Sequence, residues 1–206
     1  MKLAILGTGH VGQALAKGLS KTRHEVTFGS RDPSKADVPP GTKVETMRRA
    51  AAWAEAAILA VPYSALKDTI EAAGLGNLKG KTVIDPTNVL SPSGELALGF
   101  TTSGAEELAK LVPDASVVKA FNTIFAQNMA SGRLAGQPLT LPVAGDDPKA
   151  KAVVMALGRD IGFEPVDAGP LKAARYLEPM GMHLISLGYG QRMGTAIGYR
   201  LVRGRG

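Results

Sequence analysis

The sequence predicts one doubly wound α/β domain built on a mostly parallel sheet. Three observations carry that prediction. Short β-type runs alternate with helical stretches almost from end to end, the order that puts crossover helices on both faces of a parallel sheet. The β-type runs are continuously apolar, which suits strands buried on both faces. The 206 residues, 45% apolar and 20% charged, suffice for one domain with a sizeable core.

"KLAIL" (2–6) reads as a buried strand, followed by a helix from about Val11 to Lys21. "EVTFG" (25–29) is the second strand, and "TKVET" (42–46) a weak third leading into the alanine-rich helix "MRRAAAWA". "AAILAV" (56–61) is the fourth and "KTVID" (81–85) the fifth; "ASVVKA" (115–120), "LTLPVA" (139–144) and "GFEPVD" (162–167) complete the set. Helices are expected near 64–73, 104–111, 123–130, 148–160 and 171–200. The connection 31–41, with three prolines, reads as a surface loop. Residues 1–206 read as a single unit whose C-terminal helical segment covers about 171–202.

Composition excludes several kinds of chemistry. Cysteine is absent, which removes disulfides, thiolate metal sites and a cysteine nucleophile. His10, His24 and His183 are too dispersed for a metal site, so no metal is expected. The net charge is +6, but the basic residues are scattered and the densest group is the tail "RLVRGRG". Aromatics at 5% are too few for a stacking platform, so no nucleic-acid partner is expected. The N-terminal apolar run is four residues long before glycines interrupt it, unlike a signal segment. The apolar stretch from Ala50 to Leu66 holds Glu55 and a proline and is too broken to span a bilayer. The expectation is a cytoplasmic protein without membrane contact.

"GTGHVG" (7–12) is G-x-G-x-x-G between the first strand and the first helix. In that context Gly7 permits the tight turn, Gly9 lets the backbone approach a pyrophosphate, and Gly12 lets helix and strand pack closely. Exposed amides at the helix start suit phosphates. The second strand then ends at Gly29, where an NAD-selective site places a carboxylate for the ribose 2′-hydroxyl. Here Ser30 and Arg31 follow, with Lys35 close along the loop. A hydroxyl and a planar guanidinium can hold phosphate oxygens together, so the corner reads as built for the 2′-phosphate of NADP(H). Asp32 stands beside Arg31, either paired with it or pointing away.

Ligands of open α/β sheets sit outside the carboxyl ends of the strands. At those tips Val61, Pro62 and Tyr63 offer an apolar wall with one hydroxyl, and Asn88 and Asn122 offer amides for a carboxamide or carbonyl. Asp146 and Asp147 read as caps for the helix at 148–160, and Asp167 as a turn former. No carboxylate pair, Ser-His-Asp set or nucleophile elbow stands out. Hydride transfer between two bound coenzymes needs alignment and exclusion of water more than an acid or base.

The motifs "GTGHVG", "GSRDPSK", "AVP", "DPTNVL", "VVKAFNTI", "VAGDDPKAK" and "GFEPVDAGPL" occur in an order that resembles NADPH:8-hydroxy-5-deazaflavin oxidoreductases, the coenzyme F420-dependent NADP reductases. The chain is similarly close to the cytoplasmic NADPH-binding domain of six-transmembrane metalloreductases. The resemblance implies a Rossmann-type fold with NADPH bound at the pyrophosphate by Thr8, Gly9, His10 and Val11. It implies Ser30, Arg31 and Lys35 at the 2′-phosphate, and Tyr63, Leu66, Asn88 and Ala126 along the nicotinamide side. It further implies a small-molecule hydride acceptor, coenzyme F420 or FMN/FAD, and a homodimer formed partly through the C-terminal region. The chain departs from the deazaflavin-using pattern at "NTIF" (122–125), where those relatives tend to have "HTIP", and its "KAFN" is closer to the metalloreductase branch. Two other readings stay open: a small-substrate reductase of the hydroxyacid or imine-reductase type, and a non-catalytic NADPH sensor.

Overall fold

A computed structural model describes residues 1–204. The first half alternates regularly: β1 (Lys2–Leu6), α1 (His10–Leu19), β2 (Glu25–Ser30), β3 (Lys43–Thr46), α2 (Met47–Trp53), β4 (Ala56–Leu59), α3 (Leu66–Ala73) and β5 (Thr82–Asp85). There follow α4 (Gly104–Leu111), β6 (Ser116–Lys119), α5 (Ala126–Met129), β7 (Arg133–Leu134), β8 (Gln137–Pro138), β9 (Thr140–Gly145), α6 (Pro148–Ile161), β10 (Glu164–Gly169) and α7 (Ala174–Ile185). Among the described residues, eight strands form one sheet in the order β10-β9-β6-β5-β4-β1-β2-β3. All its pairs are parallel except β6 with β9. The doubly wound Rossmann-type fold and the mostly parallel sheet expected from the sequence are therefore present.

The apolar strands explain the layering. Leu3 and Ile5 of β1 and Ile58 of β4 face one apolar layer with Leu15, Val154 and Phe163. Ala4, Leu6, Ala57 and Leu59, from the same two strands, face the other with Ala50, Ile70 and Leu108. Alternation across a pleat thus buries both sides of each central strand. Of the two predicted caps, Asp147 is the N-cap of α6, its carboxylate accepting from the Lys149 amide at 2.8 Å. Asp146 instead accepts from the Leu171 amide at 2.9 Å, tying the end of β9 to the approach to α7. Asp167 shapes its turn by accepting from the Gly169 amide, and also pairs with Lys151.

Two helices are shorter than expected. The helix predicted over 123–130 is confined to α5, Ala126–Met129. Phe121, buried at the exit of β6, has a left-handed backbone (φ 70°), and a turn consumes the next residues. The predicted 171–200 helix has its α-helical turns at 174–185, with a 3-10 turn at Leu171–Ala173 before and a π-turn at Ser186–Gly190 after. Arg192 and Gly194 then take positive φ (58° and 76°), which no right-handed helix accommodates. The backbone beyond finds its partners elsewhere. Asn128 Nδ2 donates to the carbonyls of Thr195 and Ile197, and the Thr140 amide donates to Tyr199 O at 3.1 Å.

Candidate functional site

The strand order reverses between β1 and β4, so the chain leaves these neighbours in opposite directions and a crevice opens above them. A cleft of about 440 Å³ lies there, within the usual range for a small-molecule site. Gly9, His10 and Val11 form one wall, Ala60 to Ser64 after β4 the second, and Pro86, Thr87, Asn88 and Leu90 after β5 the third. A larger groove of about 1030 Å³ lies beside α1, around the amino ends of β2 and β3. It is at the wrong end of the strands for a ligand of this fold, so the smaller cleft is the candidate site.

The glycine loop is shaped for a phosphate chain. Gly7 has φ 113°, and a Cβ there would overlap the Ala60 carbonyl oxygen. A Cβ on Gly12 would lie 2.7 Å from Gly7 O and 3.2 Å from Ala60 Cβ, so α1 rests directly on the loop. Gly9 is the opposite case, exposed and with nothing within 4 Å of where its Cβ would be. Gly9 is also the N-cap of α1 and provides no side-chain cap, and the first turn of α1 contains no acidic residue. The amides that open α1 therefore face open space with the positive end of the helix behind them.

At the corner after β2 the charges sort themselves. Asp32 caps the 3-10 turn Pro33–Lys35, accepting from the Ser34 amide and hydroxyl, and its carboxylate lies 3.3 Å from Lys35 Nζ. The hydrogen bonds from Ser34, then Lys35, hold Asp32 below the ordinary carboxylate range. Ser30 Oγ donates to the Asp32 carbonyl. Arg31 is exposed and makes no hydrogen bond or ion pair among the described residues. Of the three predicted phosphate ligands, Ser30 and Lys35 are thus engaged internally, and Arg31 is the uncommitted cation.

On the other walls the predicted residues separate. Val61, Pro62, Tyr63 and Asn88 line the cleft. Burial, then the carboxylates of Glu107, Glu178 and Asp85, pushes the Tyr63 hydroxyl above its usual pKa, so it stays a neutral donor at physiological pH. Leu66 is 2% exposed and packs in the core beneath α3, because it opens that helix on its inward face. Ala126 lines the groove beside α1 together with Gln127 rather than the cleft. Asn122 is buried, its Nδ2 donating to Leu177 O (2.7 Å) and Asn88 Oδ1 (3.1 Å), while Asn88 Nδ2 donates back to Asn122 O (3.0 Å). Asn122 therefore acts on the cleft through Asn88. Gly181 of α7 makes this pair possible, since a Cβ there would sit 2.5 Å from Asn88 Oδ1 and 2.8 Å from Asn122 O.

Three residues that the sequence reading passed over sit under the floor. Lys119 Nζ, fully buried, donates to Asp85 Oδ2 (3.0 Å) and the Thr87 carbonyl (2.6 Å) and forms an ion pair with Glu178 Oε1 at 2.9 Å. Glu178 in turn accepts from the amides of Gly104 and Ala105 at the start of α4. One buried ammonium thus joins β5, β6, α4 and α7 below Pro86–Asn88. The signal was a lysine inside the apolar run "SVVKAF". Thr87, 5% exposed, lines the cleft, and its buried hydroxyl has no hydrogen-bond partner among the described residues. An orphan hydroxyl in the floor, a free guanidinium at the corner and the open helix start all fit a phosphorylated dinucleotide.

Comparison with known proteins agrees with this geometry. Residues 2–89 match the family model described as NADP oxidoreductase, coenzyme F420-dependent. The F420-dependent NADP reductase of Methanothermobacter marburgensis is 33% identical, with 95% of this chain and 96% of that protein aligned. Metalloreductase STEAP3 of Rattus norvegicus is 33% identical over 89% of this chain, which spans only 37% of that protein's length. Among solved structures, a candidate F420-dependent NADP-reductase from Arthrobacter sp. FB24 superposes with a TM-score of 0.90 at 32% identity, covering 98% of this chain and 100% of that one. An imine reductase from Aspergillus terreus has a TM-score of 0.68 at 23% identity, a likeness of fold alone.

Proposed function

We infer that this chain, which belongs to the coenzyme F420-dependent NADP oxidoreductase family, transfers hydride between NADP(H) and a deazaflavin or flavin coenzyme admitted to the same cleft. The observation that carries the reading is the continuity of the site. The open start of α1, the free Arg31 guanidinium and the cleft over β4 and β5 line up along the carboxyl edge of one sheet. When bound, the reduced nicotinamide supplies the hydride. The protein's part is to bind, orient and exclude water. Val61, Pro62 and Leu90 supply apolar wall, while the Tyr63 hydroxyl and the Asn88 amide are the groups able to orient a carboxamide. Among the described residues no carboxylate lines the cleft, in keeping with a reaction that needs alignment more than acid–base catalysis.

The acceptor is tested by stopped-flow oxidation of NADPH with coenzyme F420, FMN or FAD offered in turn. Oxidation by F420 alone assigns a deazaflavin reductase in spite of "NTIF" at 122–125. Oxidation by a flavin alone places the chain with the flavin-reducing branch that its "KAFN" resembles. Saturable NADPH binding with no oxidation by any of the three overturns the reading and leaves a sensor.

The same reading extends to a homodimer in the cytoplasm. No helix among the described residues is long and apolar enough to cross a membrane. Exposed Tyr189, Met193, Leu201 and Val202 cluster late in the chain, the region through which the resemblance implies pairing. Sedimentation equilibrium should return twice the chain mass of 21.4 kDa, and a single-chain mass at micromolar concentration would end the dimer proposal.

A further inference from the structure

Gln13 is the first residue past the glycine motif and lies in the first turn of α1. Its side-chain nitrogen uses both of its hydrogens. Nε2 donates to the Thr8 carbonyl at 2.9 Å and to the Asp37 carbonyl at 2.9 Å. Those carbonyls belong to separate parts of the site: Thr8 lies in the phosphate loop, and Asp37 in the connection from β2 to β3 that also carries Arg31.

That connection has little else to fix it. Its own turn is closed by long backbone bonds, Lys35 to Asp32 at 3.3 Å and Ala36 to Pro33 at 3.4 Å. Arg31, Asp32, Ser34, Lys35 and Asp37 are all exposed. Among the described residues, the only further hydrogen bonds from residues 31–38 to a neighbouring element are those of Asp32 with the Ser30 hydroxyl at the end of β2, where the loop begins. Val38 packing against the core is the other anchor. A loop held at two points presents its guanidinium in a narrower range of positions, and ordering it beforehand lowers the entropy lost on binding.

We propose that Gln13 is a positioning residue that couples the phosphate loop to the 2′-phosphate corner, so that discrimination between NADPH and NADH depends on an uncharged side chain that carries no phosphate contact of its own. The inference rests on the NADPH reading above. NADH uses the phosphate loop but has no 2′-phosphate, so losing the tether affects the two cofactors unequally.

The test is calorimetric titration of NADPH and NADH into wild type, Gln13→Met and Gln13→Glu. Methionine keeps the length without donors, and glutamate replaces the donor with an acceptor. Each variant is expected to weaken NADPH by about tenfold, the loss of one to two hydrogen bonds that order the corner, and NADH by less than about twofold. Hydrogen exchange at residues 31–38 should speed up in step, with thermal unfolding unchanged. A wild type that does not prefer NADPH would overturn the underlying reading. A wild type that does, with both variants keeping its NADPH to NADH ratio, would overturn the coupling alone. Equal weakening of the two cofactors would also overturn it, since Gln13 would then act only on the phosphate loop.

Discussion

Replacing Lys119 with methionine is expected to cost about 3–5 kcal/mol of folding stability, out of the roughly 5–15 kcal/mol of an ordinary domain. The ammonium donates to Asp85 Oδ2 and the Thr87 carbonyl and is ion-paired with Glu178 Oε1. Methionine fills most of the same volume, so cavity formation is a minor part of the loss. The main part is that two carboxyl groups, both at about 0–1% side-chain exposure, remain in the interior with backbone amides but no cation. Glutamate at 178 cannot escape to water, because it is pinned to the Gly104 and Ala105 amides at 2.9 and 3.2 Å. Urea unfolding should show the midpoint falling sharply, and the melting temperature should drop by on the order of 10 °C for a chain of this size. Lys79→Met is the control: Lys79 is 70% exposed and 3.5 Å from Asp114, and its loss should leave the midpoint in place. A Lys119→Met protein as stable as wild type would mean that the cluster is not held by its charges. Because the same ammonium fixes the Thr87 carbonyl in the cleft floor, NADPH affinity should fall in this variant even well below the unfolding transition.

This cluster also marks the boundary of what the sequence discloses. Elements were legible where the signal is local: the apolar strands, the glycine loop between β1 and α1, and the Asp147–Pro148 start of α6. The Lys119–Asp85 pair joins residues 34 positions apart, and no periodicity links them. Gln13 and Asp37 meet across 24 positions for the same reason. The C-terminal segment is expected as helix over 171–200, but its α-helical part is Ala174–Ile185. Positive φ at Arg192 and Gly194, together with tail carbonyls claimed by Asn128 and by the start of β9, settle that stretch differently. Asn122 stands at a strand tip as the sequence predicts, but Gly181 lets α7 approach so closely that its side chain is covered and, of the two asparagines, Asn88 lines the cleft. Fold patterning is a property of neighbours in sequence, whereas burial of a polar tip depends on which distant helix lands on it.

Arg31→Ala is expected to weaken NADPH binding by about one to two powers of ten, the scale of a charge-assisted hydrogen-bonded contact, while NADH changes by less than about threefold. The asymmetry follows from the corner's accounting of charge. Lys35 lies 3.3 Å from Asp32, and Ser30 spends its hydroxyl on the Asp32 carbonyl, so Arg31 is the cation with nothing to give up on meeting a phosphate. Lys35→Ala should therefore do less to the NADPH constant directly. It also leaves the Asp32 carboxylate without its cation, and the residual charge repels a 2′-phosphate without touching a 2′-hydroxyl. Salt separates these effects: screening should shrink the NADPH preference of the wild type and have little left to shrink in Arg31→Ala. Fluorescence titration of both cofactors at low and high ionic strength measures the four constants of each protein. If Arg31→Ala weakens NADPH and NADH equally, the guanidinium is not reading the 2′-phosphate, and cofactor preference must come from elsewhere along the loop. If the gap between the cofactors collapses with salt in the wild type and is already closed in the variant, then one exposed arginine, presented by a loop tied back to the glycine motif, accounts for the preference.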